Sequence, residues 1–331
     1  MLKIAVDAMG GDRGLEMVLD AVLNYLDKYK DTQITLFGDE VKIKEQLNNK
    51  VFTNLEIIHS SEKLASNIEN VSLLIRNNKE ASMLKAMHDI DSYDAFISAG
   101  PTQALIAGTH FIIGRLKGVQ RIAYAPIIPN LNADFKVLLD AGANTTLTAE
   151  QLNNLAIGGS IYYKVIFNKE NPKVCLLNIG EEDNKGREID IETNNLLKNN
   201  QFINFVGNQE PDIAFNSDTN VILADGFIGN IFLKTLEGFY KGLKGYLKDK
   251  LIKKFRNKMG LLLLKKDLKA LKEQVDPSKV GGAILLGARK IVIKVHGGAS
   301  SDSFYSGLEL ITKLFKNNFI EQYQKAVLKD A

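Results

Sequence analysis

The feature that most constrains this chain is a recurring unit: a short apolar run, a polar turn containing glycine, then apolar residues at helical spacing. Its fullest form is Val221-Ile222-Leu223-Ala224-Asp225-Gly226-Phe227-Ile228-Gly229-Asn230-Ile231-Phe232-Leu233-Lys234. Residues 2–6 likewise deliver Asp7-Ala8-Met9-Gly10-Gly11-Asp12, and residues 94–98 deliver Ala99-Gly100-Pro101-Thr102-Gln103. Residues 135–139 lead to Asp140-Ala141-Gly142-Ala143-Asn144, residues 174–177 to the polar segment from Asn178 to Gly186, and residues 291–295 to His296-Gly297-Gly298-Ala299-Ser300-Ser301. Strands alternating with helices predict an α/β fold with a mostly parallel sheet covered on both faces. Parallel strands align their carboxyl ends, where open α/β sheets take ligands. Asp7, Gly100, Asn144, Lys185, Asn230 and His296 are therefore expected along one cleft.

The spacing also predicts strands over 33–37, 55–58, 121–125 and 202–206. Helices are expected over 15–26, 71–87, 101–115, 148–167 and 301–329, with Pro101 suited to the first helical position. Thr148 is the expected cap of one helix and Asn230 of another, with Lys234 one turn beyond Asn230 on the same face. No internal repeat or Pro/Ser linker divides the 331 residues, so 1–331 reads as one α/β catalytic unit. A composition of 45% hydrophobic and 24% charged residues belongs to an ordinary globular protein. Cys175 is the single cysteine, in an apolar run that predicts a strand interior, so no intramolecular disulfide is expected. The first residues lack an export-type leader, and no apolar run approaches the ~20 residues of a membrane-spanning helix. The expectation is a cytoplasmic protein, at most peripheral to a membrane.

Charge is uneven along the chain. The total is +3, too small to point to a nucleic-acid partner. Between Lys241 and Glu273, however, twelve basic residues face three acidic ones, a local charge of +9. Leu243, Leu247, Leu251, Phe255 and Met259 recur every four residues, flanked by Lys244, Lys248, Lys254 and Lys258. After Gly260 come Leu261-Leu262-Leu263-Leu264 and then Lys265-Lys266. Residues 240–280 thus read as a basic amphipathic helical hairpin with an apolar tip. It is either a dimerisation or core-packing element, or a surface for an anionic membrane or an acidic partner.

Together the turns resemble one family. The residues are Ile4-Ala5-Val6-Asp7-Ala8-Met9-Gly10-Gly11-Asp12, Leu139-Asp140-Ala141-Gly142-Ala143-Asn144, Leu177-Asn178-Ile179-Gly180-Glu181-Glu182 with Lys185-Gly186, and Asp225-Gly226-Phe227-Ile228-Gly229-Asn230 with Leu233-Lys234. Phe205-Val206-Gly207-Asn208 with Glu210, Gly281-Gly282-Ala283 with Leu285-Leu286-Gly287, and His296-Gly297 complete the match. In this order they resemble the bacterial phosphate acyltransferase family of phospholipid synthesis. The resemblance implies transfer of a long-chain acyl group from acyl carrier protein to inorganic phosphate, giving an acyl phosphate for a membrane-bound glycerol-phosphate acyltransferase. It also implies a homodimer, an isocitrate-dehydrogenase-like or phosphotransacetylase-like fold, and peripheral contact with the membrane. Three stretches depart from the family pattern. Arg13-Gly14-Leu15 stands where His-Ala-Pro is usual, Ser98-Ala99-Gly100-Pro101-Thr102-Gln103 replaces Ser-Ala-Gly-Asn-Thr-Gly, and Ser300-Ser301 is displaced from His296-Gly297. Pro101 removes both a side-chain amide and a backbone donor from a phosphate seated at that turn.

Attack of phosphate on a thioester needs binding more than a protein nucleophile, because a thiolate of pKa near ~8.5 leaves well. The dianion must sit beside the carbonyl, and the developing oxyanion must meet fixed donors. Direct transfer without an acyl-enzyme is therefore expected, with no cofactor and no required metal. Lys185, Lys234, His296 and Asn230 are the candidate catalytic residues. Asp7, Gly10, Gly11, Ser82, Gly100, Thr102, Asn144, Asn178, Asp225 and Gly229 are the candidate substrate-binding positions. Each lysine is equally readable as a surface charge and each asparagine as a turn cap. His296 is either a ligand or proton donor, or a structural histidine, while His59, His88 and His110 read as structural. Asp7, Asp12 and Asp225 are more readily explained by backbone amides in glycine turns than by a magnesium ion. Leu261, Leu262, Leu263 and Leu264 with Lys254, Lys258, Lys265 and Lys266 form the candidate membrane or partner surface. Two other classes stay open: a nicotinamide-dependent dehydrogenase of similar fold, though no Gly-x-Gly-x-x-Gly is present, and a non-catalytic adaptor for membrane or carrier protein.

Overall fold

A computed structural model describes residues 1–65, 70–130, 135–251, 264, 266 and 281–330. Twelve strands among the described residues form two sheets. The seven-stranded sheet has the order β3 (Leu55–His59), β2 (Thr32–Gly38), β1 (Leu2–Asp7), β4 (Ala95–Ser98), β12 (Ile291–Lys294), β11 (Ala283–Leu286), β5 (Ala123–Ala125). From β3 to β12 its neighbours run parallel, and β11 is antiparallel to both β12 and β5. The five-stranded sheet runs β6 (Ile127–Pro129), β7 (Phe135–Leu139), β10 (Val221–Leu223), β8 (Lys173–Leu177), β9 (Asn204–Gln209). Only the β6–β7 pair in it is antiparallel.

The chain first passes from the seven-stranded to the five-stranded sheet between β5 and β6. β5 pairs with β11 and β6 pairs with β7, and Pro126 stands between them. Proline has no N–H to continue a ladder, but its carbonyl accepts from Leu138 N–H at 3.1 Å, so the chain changes partners there. The mostly parallel architecture agrees with the sequence reading, while the single sheet edge does not hold. Three of the six polar turns belong to each sheet. β6, a short apolar run without a glycine turn, had no sequence signal of that kind.

Alternation along the strands assigns the layers. On one face of the seven-stranded sheet, Ala5, Phe37 and Phe96 pack against α4 (Ser82–His88) and α5 (Thr102–Gly108). On the other, Ile4, Val6, Ile34, Leu36 and Ile97 meet α1 (Gly14–Lys28) and α10 (Ser301–Lys316). The same core continues through α6 (Ala149–Phe167) and α11 (Phe319–Asp330) to Val137, Leu139, Val174, Leu176, Val221 and Leu223 of the second sheet. The outer face of that sheet buries Leu138, Cys175, Leu177 and Ile222 beneath α8 (Pro211–Asn216) and α9 (Gly226–Leu251).

Several helices differ from their expected extents. Thr148 caps α6 as expected, with a reciprocal bond to Gln151. The region 71–87 is two helices, α3 (Val71–Asn77) and α4, because Asn78 Oδ1 captures Ala81 N–H at 3.0 Å and Ala81 turns extended to bridge Glu62. The last helix divides at Asn317-Asn318, where Asn318 adopts a left-handed conformation at φ 48°. The polar segment before residue 200 also contains α7 (Glu188–Asn199), whose helix the sequence reading passed over. Asn230 is not a cap. α9 begins four residues earlier, at Gly226, and Asp225 Oδ1 accepts from Ile228 N–H at 2.9 Å. α5 starts at Thr102, so Pro101 occupies the capping position just outside it. Of the hairpin residues, α9 extends the apolar-and-lysine pattern to Leu251, and Leu264 and Lys266 are exposed. Lys254, Lys258, Leu261, Leu262, Leu263 and Lys265 lie outside the described residues.

Candidate functional site

Three turns of the seven-stranded sheet close on one another behind β1, β4 and β12. Asp7, at the end of β1, is almost fully buried and accepts four hydrogen bonds. Met9 and Gly10 donate backbone N–H at 3.2 and 3.1 Å, and the Ser82 and Ser98 hydroxyls each donate at 2.6 Å. Ser82 opens α4 and Ser98 ends β4, so one carboxylate joins three elements. Backbone crowding explains the glycines. A Cβ on Gly10 would stand 2.5 Å from Asp7 Oδ2 and 2.7 Å from Gly100 N, and one on Gly100 would strike Met83 Cε at 2.4 Å. Gly11 takes φ +88°, Asp12 N–H donates to Gly297 O at 2.7 Å, and Lys63 Nζ donates to Gly11 O at 2.6 Å. His296 lies exposed at the rim, its Nδ1 accepting from Gly298 N–H at 3.1 Å. Thr102 is half-buried at the start of α5.

Beneath these turns lies Lys294, 4% exposed at the end of β12 and in register with Ser98 of β4. Its ammonium donates to the carbonyls of Val295 and Ala99, the latter at 3.4 Å. Burial pushes its pKa down to about 8, against the opposing pull of Asp7 and Asp12.

The second group belongs to the five-stranded sheet. Asp140, at the end of β7, has no exposure and accepts from the N–H groups of Tyr124, Gly142, Ala143 and Asn144 between 2.8 and 3.0 Å. Asn144 Nδ2 adds a fifth bond at 2.8 Å and reaches Ile122 O at 2.7 Å. Burial raises the Asp140 pKa, and the donated bonds work the other way. The start of α9 rests directly on this turn. Gly226 N–H donates to Asn144 O at 2.9 Å, and a Cβ on Gly229 would fall 1.9 Å from Asp140 O. The exposed Asn230 side chain lies against Gly142, whose added Cβ would meet it at 3.4 Å. Asn178 Nδ2 holds Lys185 O at 3.0 Å and Asn178 Oδ1 accepts from Ile179 N–H, so this amide ties its own turn. Arg187 joins that turn to α9: its guanidinium bonds Asp190 at 2.9 Å and Asp225 at 2.7 Å, two buried carboxylates that hold its charged form.

Both candidate lysines reach solvent. Lys185 is half exposed, 4.0 Å from Glu182, and Lys234 pairs with Glu237 at 2.8 Å on an open helix face. The carboxylate groups go separate ways, Asp7 to serines and backbone, Asp12 to the rim, and Asp225 to Arg187. Cys175 is sealed in β8, and burial raises its thiol to about 12.

A family model described as "Fatty acid synthesis protein" matches residues 2–322. A phosphate acyltransferase of Listeria innocua is 38% identical over 329 residues, covering 99% of this chain and 97% of its own. One from Clostridium botulinum is 39% identical with 98% of both chains covered, and one from Staphylococcus aureus 38% with 99% and 98%. The chain belongs to the phosphate acyltransferase family. It is an acyltransferase of fatty acid and phospholipid synthesis. In fold, the chain is similar to a phosphotransacetylase from Streptococcus pyogenes, with TM-score 0.61 and 18% identity over 96% of this chain and 94% of that one. A branched-chain phosphotransacylase from Enterococcus faecalis follows with TM-score 0.54 and 14% identity, covering 95% and 98%.

Within this family member, Asp140, Arg187, Ser98 and Lys294 escaped the sequence reading as site residues. Lys294 carried a usable signal, being a lysine inside the apolar run Ile291-Val292-Ile293-Lys294-Val295. Arg187 carried none, because its partners come from α7 and from the turn before α9.

Proposed function

We propose that this chain transfers a long-chain fatty acyl group from acyl carrier protein to inorganic phosphate. A phosphate oxygen attacks the thioester carbonyl, the new C–O bond forms, the C–S bond breaks, and the carrier thiolate leaves and takes a proton. The observation that carries this reading is the end-to-end likeness to relatives named phosphate acyltransferase. The absence of an accessible thiol supports direct attack: the one cysteine is enclosed and its thiol is held neutral. Lys185 projects from the turn after β8 and Asn230 from the start of α9, and the Arg187–Asp225 pair ties the two segments together, which fits them to hold phosphate and the carbonyl oxygen. His296 is placed at its turn's rim with Nε2 free of protein partners among the described residues, suited to protonating the leaving sulfur.

Delivery of the acyl phosphate to a membrane-bound glycerol-phosphate acyltransferase, docking on an anionic leaflet and homodimerisation belong to the same reading. The exposed apolar face of α9, carrying Phe227, Ile231, Phe239 and Tyr246, supports a partnered helix. Among the described residues no helix is long and apolar enough to cross a membrane.

The deciding experiment follows release of free carrier-protein thiol from acyl carrier protein with and without added phosphate. Phosphate-dependent release across one or more acyl lengths is expected; no release at any length would favour a non-catalytic adaptor. Intact-mass analysis during turnover should find no acyl adduct on the enzyme, and an adduct would end the direct-attack mechanism. A dehydrogenase reading would require spectroscopic binding of a dinucleotide.

A further inference from the structure

We infer that the concave face between α3, α4 and the turn after α5 is the docking surface for an acidic protein partner, which in the proposed reaction is the acyl carrier protein. The identity of the partner rests on that reaction, and the place of the contact goes beyond it. The site is a concavity of about 420 Å³ lined by Ile75, Arg76, Lys79, His88, Phe111 and Ile112. Ile75 and Arg76 come from the end of α3, Lys79 from the loop to α4, and His88 from the last position of α4. Phe111 and Ile112 belong to a π-turn, Thr109–Ile113, closed by Gly114 N–H on Thr109 O at 2.8 Å. Short π-turns recur at functional positions. In this one Thr109 and Ile113 stay buried while Phe111 is left 66% exposed.

Apolar surface and positive charge meet at this face. Arg76, Lys79 and His88 line the concavity, and no acidic residue does. Among the described residues none of the three has an ion-pair partner, whereas Lys85 of α4 is paired with Glu80 at 3.2 Å. Of the three carboxylates between residues 71 and 93, Glu80 is taken by Lys85 and Asp91 by Arg289, which leaves Asp89. His110 packs edge-on against the Phe111 ring, and burial together with the positive charges of Arg115 and Arg121 holds it below the usual histidine pKa. From residue 95 to residue 133 the chain holds Arg115, Lys117 and Arg121 and no acidic residue. An apolar centre with a cationic border fits a partner that brings carboxylates around an apolar contact. A leaflet takes up protruding apolar groups, but this surface is recessed, with Ile75 buried and Ile112 half-buried; a helix of a protein partner fills such a recess.

Position links the face to the chemistry. α4 starts at Ser82, whose hydroxyl bonds Asp7 at 2.6 Å, and ends at His88. Its seven residues set the concavity about 10 Å from the Asp7 turn, at ~1.5 Å per residue. That turn is joined to the turn of His296 by Asp12 N–H on Gly297 O at 2.7 Å. A carrier held at the far end of α4 therefore sends its tethered thioester along the helix toward His296 while its own body stays outside the cleft.

The test compares the intact enzyme with Arg76→Glu/Lys79→Glu and with Phe111→Ser, all at exposed positions. Two donors are used, acyl carrier protein and the same acyl group on pantetheine alone. With the carrier-bound donor each variant should raise KM at least ~10-fold while kcat and the KM for phosphate stay level. Turnover of acyl-pantetheine should be unchanged. Titration with carrier protein lacking an acyl group should show the same weakening, and replacing Leu261, Leu262, Leu263 and Leu264 with serine should leave that affinity as it was. A normal KM for the carrier-bound donor in the folded variants overturns the inference. An equal loss on acyl-pantetheine overturns it too, by putting these residues in the chemistry. Loss of flotation with anionic vesicles at unchanged carrier affinity gives the face to a membrane and overturns it as well. Should the variants fail to fold, hydrogen exchange on the intact enzyme decides: saturating carrier protein should slow exchange over 71–88 and 109–114, and no protection there sinks the docking surface. Carrier binding at this face without phosphate-dependent turnover refutes instead the acyl-transfer reading and leaves the docking surface standing.

Discussion

At the scale of single residues, most of the polar side chains singled out by the turns hold backbone. Asn178 bonds its own turn, Asn144 bonds its own turn and Ile122 O just before β5, and Asp7 and Asp140 gather four and five donors respectively. The candidate catalytic side chains all reach solvent, Lys185, Asn230 and His296 with Lys234, and Lys234 is paired with Glu237. Lys185→Ala is therefore expected to raise the phosphate KM by about tenfold or more while leaving thermal stability unchanged, since its Glu182 contact is long and exposed. Lys234→Ala removes only an exposed pair with Glu237 and should change the melting temperature little, with a smaller kinetic effect than Lys185→Ala. Gly229→Ala tests the tightest glycine contact among the described residues. Its Cβ would meet Asp140 O at 1.9 Å, so α9 must move off the β7 turn. Denaturant unfolding should show a loss of about 1–3 kcal/mol or more, with reduced kcat from displaced Asn230.

At the scale of elements, the sequence reading was most accurate where local chemistry closes within one turn of chain. Thr148 and Gln151 satisfy each other's backbone, and α6 begins where that box predicts. The reading failed where an apolar period ran on across a side chain or a backbone angle that ends or starts a helix. Asn78 and Asn318 break apparently continuous helical patterns, and Asp225 takes the capping role from Asn230 because the chain there is already folded against Asn144 O. α9 carries an apolar face and a row of exposed lysines toward the four-leucine segment. Replacing Leu261, Leu262, Leu263 and Leu264 with serine should release the protein from anionic vesicles in a flotation assay and spare turnover on soluble acyl carrier protein. Unchanged vesicle binding would assign the basic surface to a protein partner.

At the scale of the whole molecule, one hydrophobic core runs from the seven-stranded sheet through α1, α10, α6 and α11 to the five-stranded sheet. Tyr323 of α11 packs so closely on α6 that a Cβ at Gly158 would lie 2.3 Å from its ring. Calorimetry is therefore expected to show a single cooperative transition with matching calorimetric and van't Hoff enthalpies; two separable transitions would mean the sheets unfold independently. The sequence by itself determined the strand-turn-helix alternation, the parallel pairing it demands, the enclosed cysteine and the turns that carry the family likeness. These depend on neighbours in the chain and on a period of two or 3.6 residues. Only the tertiary structure decided that Pro126 divides the strands between two sheets, and that Arg187 clamps Asp225. It also decided that Lys294 lies buried under three turns. Such facts depend on which distant groups share a small volume, and there the loss of solvent sets both the charge a side chain carries and the partners it must find.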